Sequence, residues 1–195
     1  MTEAKITIAT PADRERVVAS LVAAFPGDPV LRYLFPDDVT YPPYAAAFFG
    51  HLFDKRVHKE TVWTVGSGGS VAIWEPPATS TPAAAESGAV GEPWTSVLPA
   101  DAAARVRAYD VAVHDVLPTA PFWYLGVLGT HPEHAGQRWG HAVMAAGLRH
   151  ATEHGLPAVL ETGNPENVEM YRRAGWEVLD TITEPLPTWI MQHKP

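Results

Sequence analysis

Three groups of residues in this chain have the types and spacing to do chemistry. The first is a turn. Leu125 to Thr130 is an apolar, glycine-bearing run that feeds His131 and Pro132, and Gly136, Gln137, Arg138, Trp139, Gly140 and His141 then open a long helical stretch. Backbone N–H groups at a helix start have no partner inside the helix and lie at the positive end of its dipole, so this turn suits a pyrophosphate. Gly136 and Gly140 place no side chain in the way of an approaching anion. The second is Glu161, at the end of the otherwise apolar run from Ala158. A carboxylate at a strand end facing a cleft can hold an ammonium, can take its proton directly or through water, or can serve as a structural hydrogen-bond anchor. The third is the set His131, His134 and His141. It has no H-E-x-x-H or comparable spacing, so it reads as solvated side chains and no metal is expected.

The turn is not a nucleotide signature. No Lys-Ser or Lys-Thr follows it to hold a triphosphate and Mg²⁺, and its glycines are not spaced G-x-G-x-x-G.

The whole chain narrows the chemistry further. With 195 residues, 46% hydrophobic and 18% charged, it is long and apolar enough for a single domain, 1–195, with a sizeable core. A net charge of −8 argues against a broad nucleic-acid or anionic-membrane surface and favours cationic substrates. The absence of cysteine excludes thiolate metal sites and a covalent acyl-cysteine. The first residues lack a basic segment followed by an apolar core, and no apolar run approaches the roughly 20 residues of a membrane span, which predicts a cytoplasmic protein.

Hydrophobic spacing predicts the elements that position these residues. Lys5 to Ala9 alternates as a strand, Thr10-Pro11 starts a helix, and Val17, Val18, Leu21, Val22 and Phe25 recur at helical intervals. Two aromatic-rich helical pieces follow over Val30–Phe35 and Tyr44–Val57. Val62–Val65 and Ser70–Trp74 predict a hairpin through Gly66–Gly69. Residues 75–95 are dense in Ala, Pro, Ser and Thr and predict a flexible surface segment. A helix is expected from Ala100 to about Val116, then a central strand over Phe122–Thr130, a helix over Trp139–His154 stopped by Gly155, and a strand over Pro157–Glu161. Asn164–Ala174 predicts a short helix, and Trp176–Ile182 and Thr188–His193 predict two closing strands. This order implies a mixed α/β sheet of about seven mostly antiparallel strands flanked by helices, with one parallel pair joined through the helix after the turn.

Strand, Pro132 and the loop before the long helix resemble the coenzyme A loop of the Gcn5-related N-acetyltransferases (GNAT), whose pattern is Q/R-x-x-G-x-G/A. Further matching pieces run in order: Ala12–Phe25, Val62-Trp63, Val71–Trp74, Leu160-Glu161-Thr162, Asn167 with Tyr171, Gly175 and Thr188-Trp189. Residues 76–117 match least. Anchored on Pro132, the pattern puts its first position at Ala135, its middle glycine at Arg138 and its last at Gly140, departing twice from the family. A second register, Gln137 to Ala142, would shift the turn by two residues. The resemblance implies acetyl-CoA as acyl donor and direct transfer to a primary amine of a small molecule, in antibiotic or self-resistance chemistry, by a monomer or homodimer. It implies pantetheine pairing by the backbones of Val127, Leu128 and Thr130, and diphosphate contact by the turn with the Arg138 guanidinium. Tyr171 corresponds to the family's general acid, although a packing role fits its position too. Asn167 would bond the cofactor or cap the local backbone, and Glu161 matches the Glu of the family's Leu-Glu-Thr. The two loop departures leave one alternative: a degenerate domain that binds an acyl-CoA or small ligand without turnover.

Overall fold

The computed structural model describes residues 5–77 and 93–195. Its elements run β1 (Ile6–Ile8), α1 (Arg14–Ala24), α2 (Pro29–Leu34), α3 (Tyr41–Val57), β2 (Val62–Val65), β3 (Ser70–Glu75), α4 (Ala100–His114), β4 (Trp123–Thr130), α5 (Trp139–Glu153), β5 (Ala158–Thr162), α6 (Pro165–Arg173), β6 (Glu177–Ile182) and β7 (Thr188–His193). One seven-stranded sheet has the order β1-β2-β3-β4-β5-β7-β6, antiparallel throughout except for β4 and β5, which α5 connects. No helix among the described residues is long and apolar enough to cross a membrane.

Alternating side chains send this sheet's apolar surface in two directions. Val62, Val71, Ile73, Tyr124, Val127 and Val159 pack into one core beneath α1 to α4. Trp63, Ala72, Trp74, Leu125, Leu160 and Met191 pack into a second core beneath α5 and α6. Helix α5 sits close to the sheet because Gly147 faces the Trp74 indole, where any Cβ would lie 2.1 Å from the ring. Helix α3 begins at Tyr41, earlier than the sequence spacing predicts, because Pro42 and Pro43 occupy its first turn, where a missing N–H leaves no helical bond unmade.

The predicted flexible segment at 75–95 falls mostly on residues 78–92, outside the described residues. Its ends are ordered: Glu75 is the last residue of β3, and Trp94 is buried with its ring 5.4 Å from that of Phe48.

The feature that shapes the site lies in β4. Opposite β3, the register passes from Leu125↔Trp74 directly to Val127↔Ile73, leaving Gly126 as the extra residue of a bulge. On the other side, β4 pairs with β5 only at Trp123↔Ala158 and Tyr124↔Val159. Beyond those pairs the two strands separate, and a gap opens through the sheet.

Candidate active site

His131 donates its N–H to the Gly69 carbonyl at 2.8 Å, the last rung of the β3–β4 ladder. In an antiparallel ladder, bonded residues alternate with residues whose N–H and C=O point away from the partner strand. Counting back by twos, Gly129 and Val127 face β3, and the backbones of Leu128 and Thr130 face the gap.

The turn itself is held by its neighbours. Pro132–His134 forms one 3-10 turn, with the His131 ring accepting the Glu133 N–H at 3.3 Å. Gly136 has φ +78° and Arg138 has φ +61°, both left-handed. The anchored register expects a glycine at Arg138, and the left-handed region is where glycine costs least. Arg138 is the N-cap residue of α5 and supplies no side-chain cap. Among the described residues the N–H groups of Gly136, Arg138, Trp139, Gly140 and His141 therefore meet no acceptor. A Cβ on Gly136 would touch nothing within 4 Å, so this surface is open to an incoming group. Gln137, Arg138 and His141 have exposed side chains. The Trp139 indole turns away and fastens the turn to the β2–β3 hairpin. It stacks 4.5 Å from His134, and a Cβ on Gly66 would sit 2.5 Å from it.

From this turn a groove of about 480 Å³ runs along the face covered by α5 and α6, lined by Leu128, Thr130, Gly140, His141, Asn167 and Tyr171. On the opposite face a larger chamber, about 1010 Å³ including its open mouth, lies beneath α2, α3 and α4. The two spaces share Leu128, Asn167 and Tyr171, at the gap between β4 and β5. Asn167 and Tyr171 reach it together because they lie four residues apart on α6. The cap of α6 is Asn164, whose side chain accepts the Glu166 N–H at 2.9 Å, so Asn167 is free of that role. The Tyr171 phenol makes no hydrogen bond with the described residues, and its ring packs edge-on against Trp176 at 5.9 Å.

Glu161 faces the chamber from β5, and the Tyr124 hydroxyl on neighbouring β4 donates to its Oε2. Burial pushes the Glu161 carboxyl up to about 7, partly offset by that hydrogen bond. Burial, with the nearby Glu161 charge, pushes the Tyr171 phenol well above its ordinary value. Asp110 on α4 also lines the chamber and is raised to about 7 by burial. Asp28 lines it as well, but its Oδ1 caps α2 by accepting the Val30 and Leu31 N–H groups at 3.0 Å.

Sequence reasoning named Glu161, Asn167 and Tyr171, which the fold brings to the lining of one chamber, and missed Asp28, Tyr109 and Asp110. A signal for Asp110 exists: Ala102, Val106, Tyr109 and Val113 mark the buried stripe of α4, and Asp110 follows Val106 by one helical turn on that stripe. Among the aromatic residues of the sheet, Tyr124 lines the chamber, while Trp63, Trp74 and Trp123 belong to the second core. His114 and Asp115 are exposed at the end of α4. Among the described residues no group of three His, Asp or Glu side chains is placed to hold a metal ion.

Residues 102–179 match the family model described as the acetyltransferase (GNAT) domain. A curated relative, mycothiol acetyltransferase of Propionibacterium freudenreichii subsp. shermanii, is 31% identical over 108 residues, 54% of this chain. The match covers 29% of that relative's length. Solved structures similar over the whole chain include the histone acetyltransferase HPA2 and related acetyltransferase from Corynebacterium glutamicum, with TM-score 0.70, 20% identity and coverage of 100% of this chain and 97% of that one. They also include Aedes aegypti arylalkylamine N-acetyltransferase 2, with TM-score 0.65, 8% identity and 99% of both chains covered. Drosophila melanogaster polyamine N-acetyltransferase has TM-score 0.60 at 14% identity, covering 97% of this chain and 98% of that one. At these identities the likeness is one of fold. The family model thus matches the stretch from α4 into β6, less than half of the chain, and the sheet as a whole is similar in fold to these solved acetyltransferases.

Proposed function

We propose that the chain is an acetyl-CoA-dependent N-acetyltransferase acting on a primary amine of a small molecule by direct transfer in a ternary complex. The observation that carries this reading is the junction at Leu128, Asn167 and Tyr171, where a groove leading from unpaired backbone amides meets a chamber holding a half-buried carboxylate. The donor set fits the cofactor: the N–H groups of Gly136 and Arg138–His141 suit its diphosphate, and the Leu128 and Thr130 backbones suit the amides of its pantetheine arm.

When bound, acetyl-CoA supplies an acetyl group activated as a thioester. Glu161 does the work on the acceptor side. Its carboxyl sits near 7, so at neutral pH it is charged often enough to hold an ammonium and basic enough to take its proton. Tyr124 orients that carboxyl through its hydroxyl. Tyr171 holds its phenolic proton firmly because burial disfavours the phenolate, and from the junction it can deliver that proton to a departing thiolate. The Leu128 N–H, directed into the gap, is available to an oxygen on which negative charge develops. The apolar walls from α2 and α3 exclude water from the same space.

Relatives and structural neighbours named for mycothiol, polyamine and arylalkylamine acetylation support an amine acceptor. Resemblance to puromycin N-acetyltransferase in the ordered Glu161, Asn167 and Tyr171 motifs supports including amine-bearing antibiotics. The net charge of −8 supports a small cationic acceptor over nucleic acid or membrane, and the same reading has the enzyme act in the cytoplasm as monomer or homodimer.

The test is incubation with acetyl-CoA and a panel of polyamines, arylalkylamines, amino sugars and amine antibiotics, following thiol release and acetylated product by mass spectrometry. Product from at least one amine is expected. Micromolar acetyl-CoA binding with no thiol release from any amine would replace the enzyme with a binding domain, the outcome the two loop departures at Ala135 and Arg138 would favour.

A further inference from the structure

The acceptor chamber contains a polar group that the reaction as described does not use. Asp110 on α4 and Glu161 on β5 both line the chamber. Its Oδ2 is shielded from solvent and meets no hydrogen-bond partner among the described residues. Arg105, five residues earlier on the same helix, binds Asp101 at 2.9 Å and the Leu34 carbonyl at 3.1 Å. Arg56, at the chamber wall, pairs with Glu75 at 2.9 Å. Asp28 is committed to its helix cap. Beside Asp110, the Tyr109 hydroxyl is buried near Thr188 and also lacks a partner in hydrogen-bond geometry. A carboxylate oxygen withdrawn from water with nothing to bind is costly in the empty protein, and that cost is removed when a ligand brings a matching cation.

We infer that Asp110 determines acceptor specificity by receiving a second protonated nitrogen, so that the preferred acceptor is a diamine whose reacting nitrogen lies at Glu161 and whose far nitrogen lies at Asp110. The inference rests on the acetyltransferase reading and deepens it. The apolar residues that line the same chamber, such as Phe49, Leu31 and Val106, suit the hydrocarbon spacer of such a molecule. Two carboxylates at separate positions in one chamber select for length as well as charge, because a spacer too short or too long leaves one of them unpaired.

The experiment compares kcat/KM for n-alkylamines and α,ω-diaminoalkanes of matched length, with wild type, Asp110→Asn and Asp110→Glu. In wild type the best diamine is expected to exceed its matched monoamine by about tenfold or more, the scale of one charge-assisted contact. Asp110→Asn should collapse that ratio to about 1, and Asp110→Glu should restore a preference with its optimum moved to a shorter diamine. No diamine preference in wild type, or an unchanged ratio in Asp110→Asn, overturns the inference while acetylation of monoamines leaves the enzyme reading intact. If no amine is acetylated, the enzyme reading fails. The inference is then decided by calorimetry with the diamine and monoamine alone, where tighter diamine binding lost in Asp110→Asn upholds it and equal binding overturns it. Melting curves of Asp110→Asn check the fold, and replacing an unpaired carboxylate by an amide of the same shape is expected not to lower the melting temperature.

Discussion

The turn before α5 and the chamber beneath α2 to α4 are built in opposite ways. The turn is one continuous segment whose working groups are backbone amides, so its chemistry depends on dihedral angles: left-handed Gly136 and Arg138, and a helix start without a cap. The chamber takes its polar groups from α2, α4, β4 and β5, and its chemistry depends on side chains meeting across the fold. The difference teaches that one segment can bind a constant ligand by main-chain geometry while a composite pocket varies its acceptor by exchanging side chains.

If the two regions are independent in this way, substitutions should separate them. The largest separation is expected for Glu161→Gln, which keeps shape but removes the proposed base. Its kcat/KM for amine should fall about a hundredfold or more, with acetyl-CoA affinity by calorimetry held within about twofold. Tyr171→Phe, at the junction, should lower kcat on the order of ten- to a thousandfold with cofactor affinity nearly kept. A comparable loss of acetyl-CoA affinity in either variant would break the comparison.

Tyr124→Phe sharpens it through pH. The Tyr124 hydroxyl stabilises charged Glu161, so its removal raises the Glu161 carboxyl further above its ordinary value. Less of the base is then charged at neutral pH. The acid limb of the kcat/KM profile should move to higher pH by about half a unit or more, with activity recovered in alkaline buffer. An unmoved limb would assign the limb to another group. The smallest effect is expected at the turn. Arg138→Gly relieves a left-handed non-glycine residue and should raise unfolding free energy by about 1 kcal/mol in denaturant melts. If the guanidinium also contacts the diphosphate, the same variant binds acetyl-CoA more weakly at low salt, and the deficit fades as salt rises.

The contrast also explains what could be read from the sequence. The turn was legible because its signals are local: Pro132, the glycines, and the apolar strand and helix on either side. Element positions were legible for the same reason, and Thr10-Pro11, Gly66–Gly69 and Gly155 mark boundaries close to those observed. Glu161 stood out as a lone charge in an apolar strand. The bulge at Gly126 was not legible, because an extra residue is defined only against the partner strand, and it is what keeps Val127 on the face of Tyr124 after one position is skipped. Asp28 stands between Pro26-Gly27 and Pro29, and Asp110 is one of two aspartates on α4. Their shared chamber exists only once helices distant in sequence fold onto the sheet.

The placement of β7 between β5 and β6 has a consequence for how this protein comes into being. The strand that carries Glu161 borders, on one edge, the gap where β4 departs, and on the other a segment synthesised after every other strand. A nascent chain halted before Thr188 would leave β5 and β6 without the ribbon that joins them, their main-chain groups unsatisfied and open to association with other chains. Competence for chemistry should thus wait on the Thr188–His193 strand, and removing that strand should abolish it abruptly instead of by degrees.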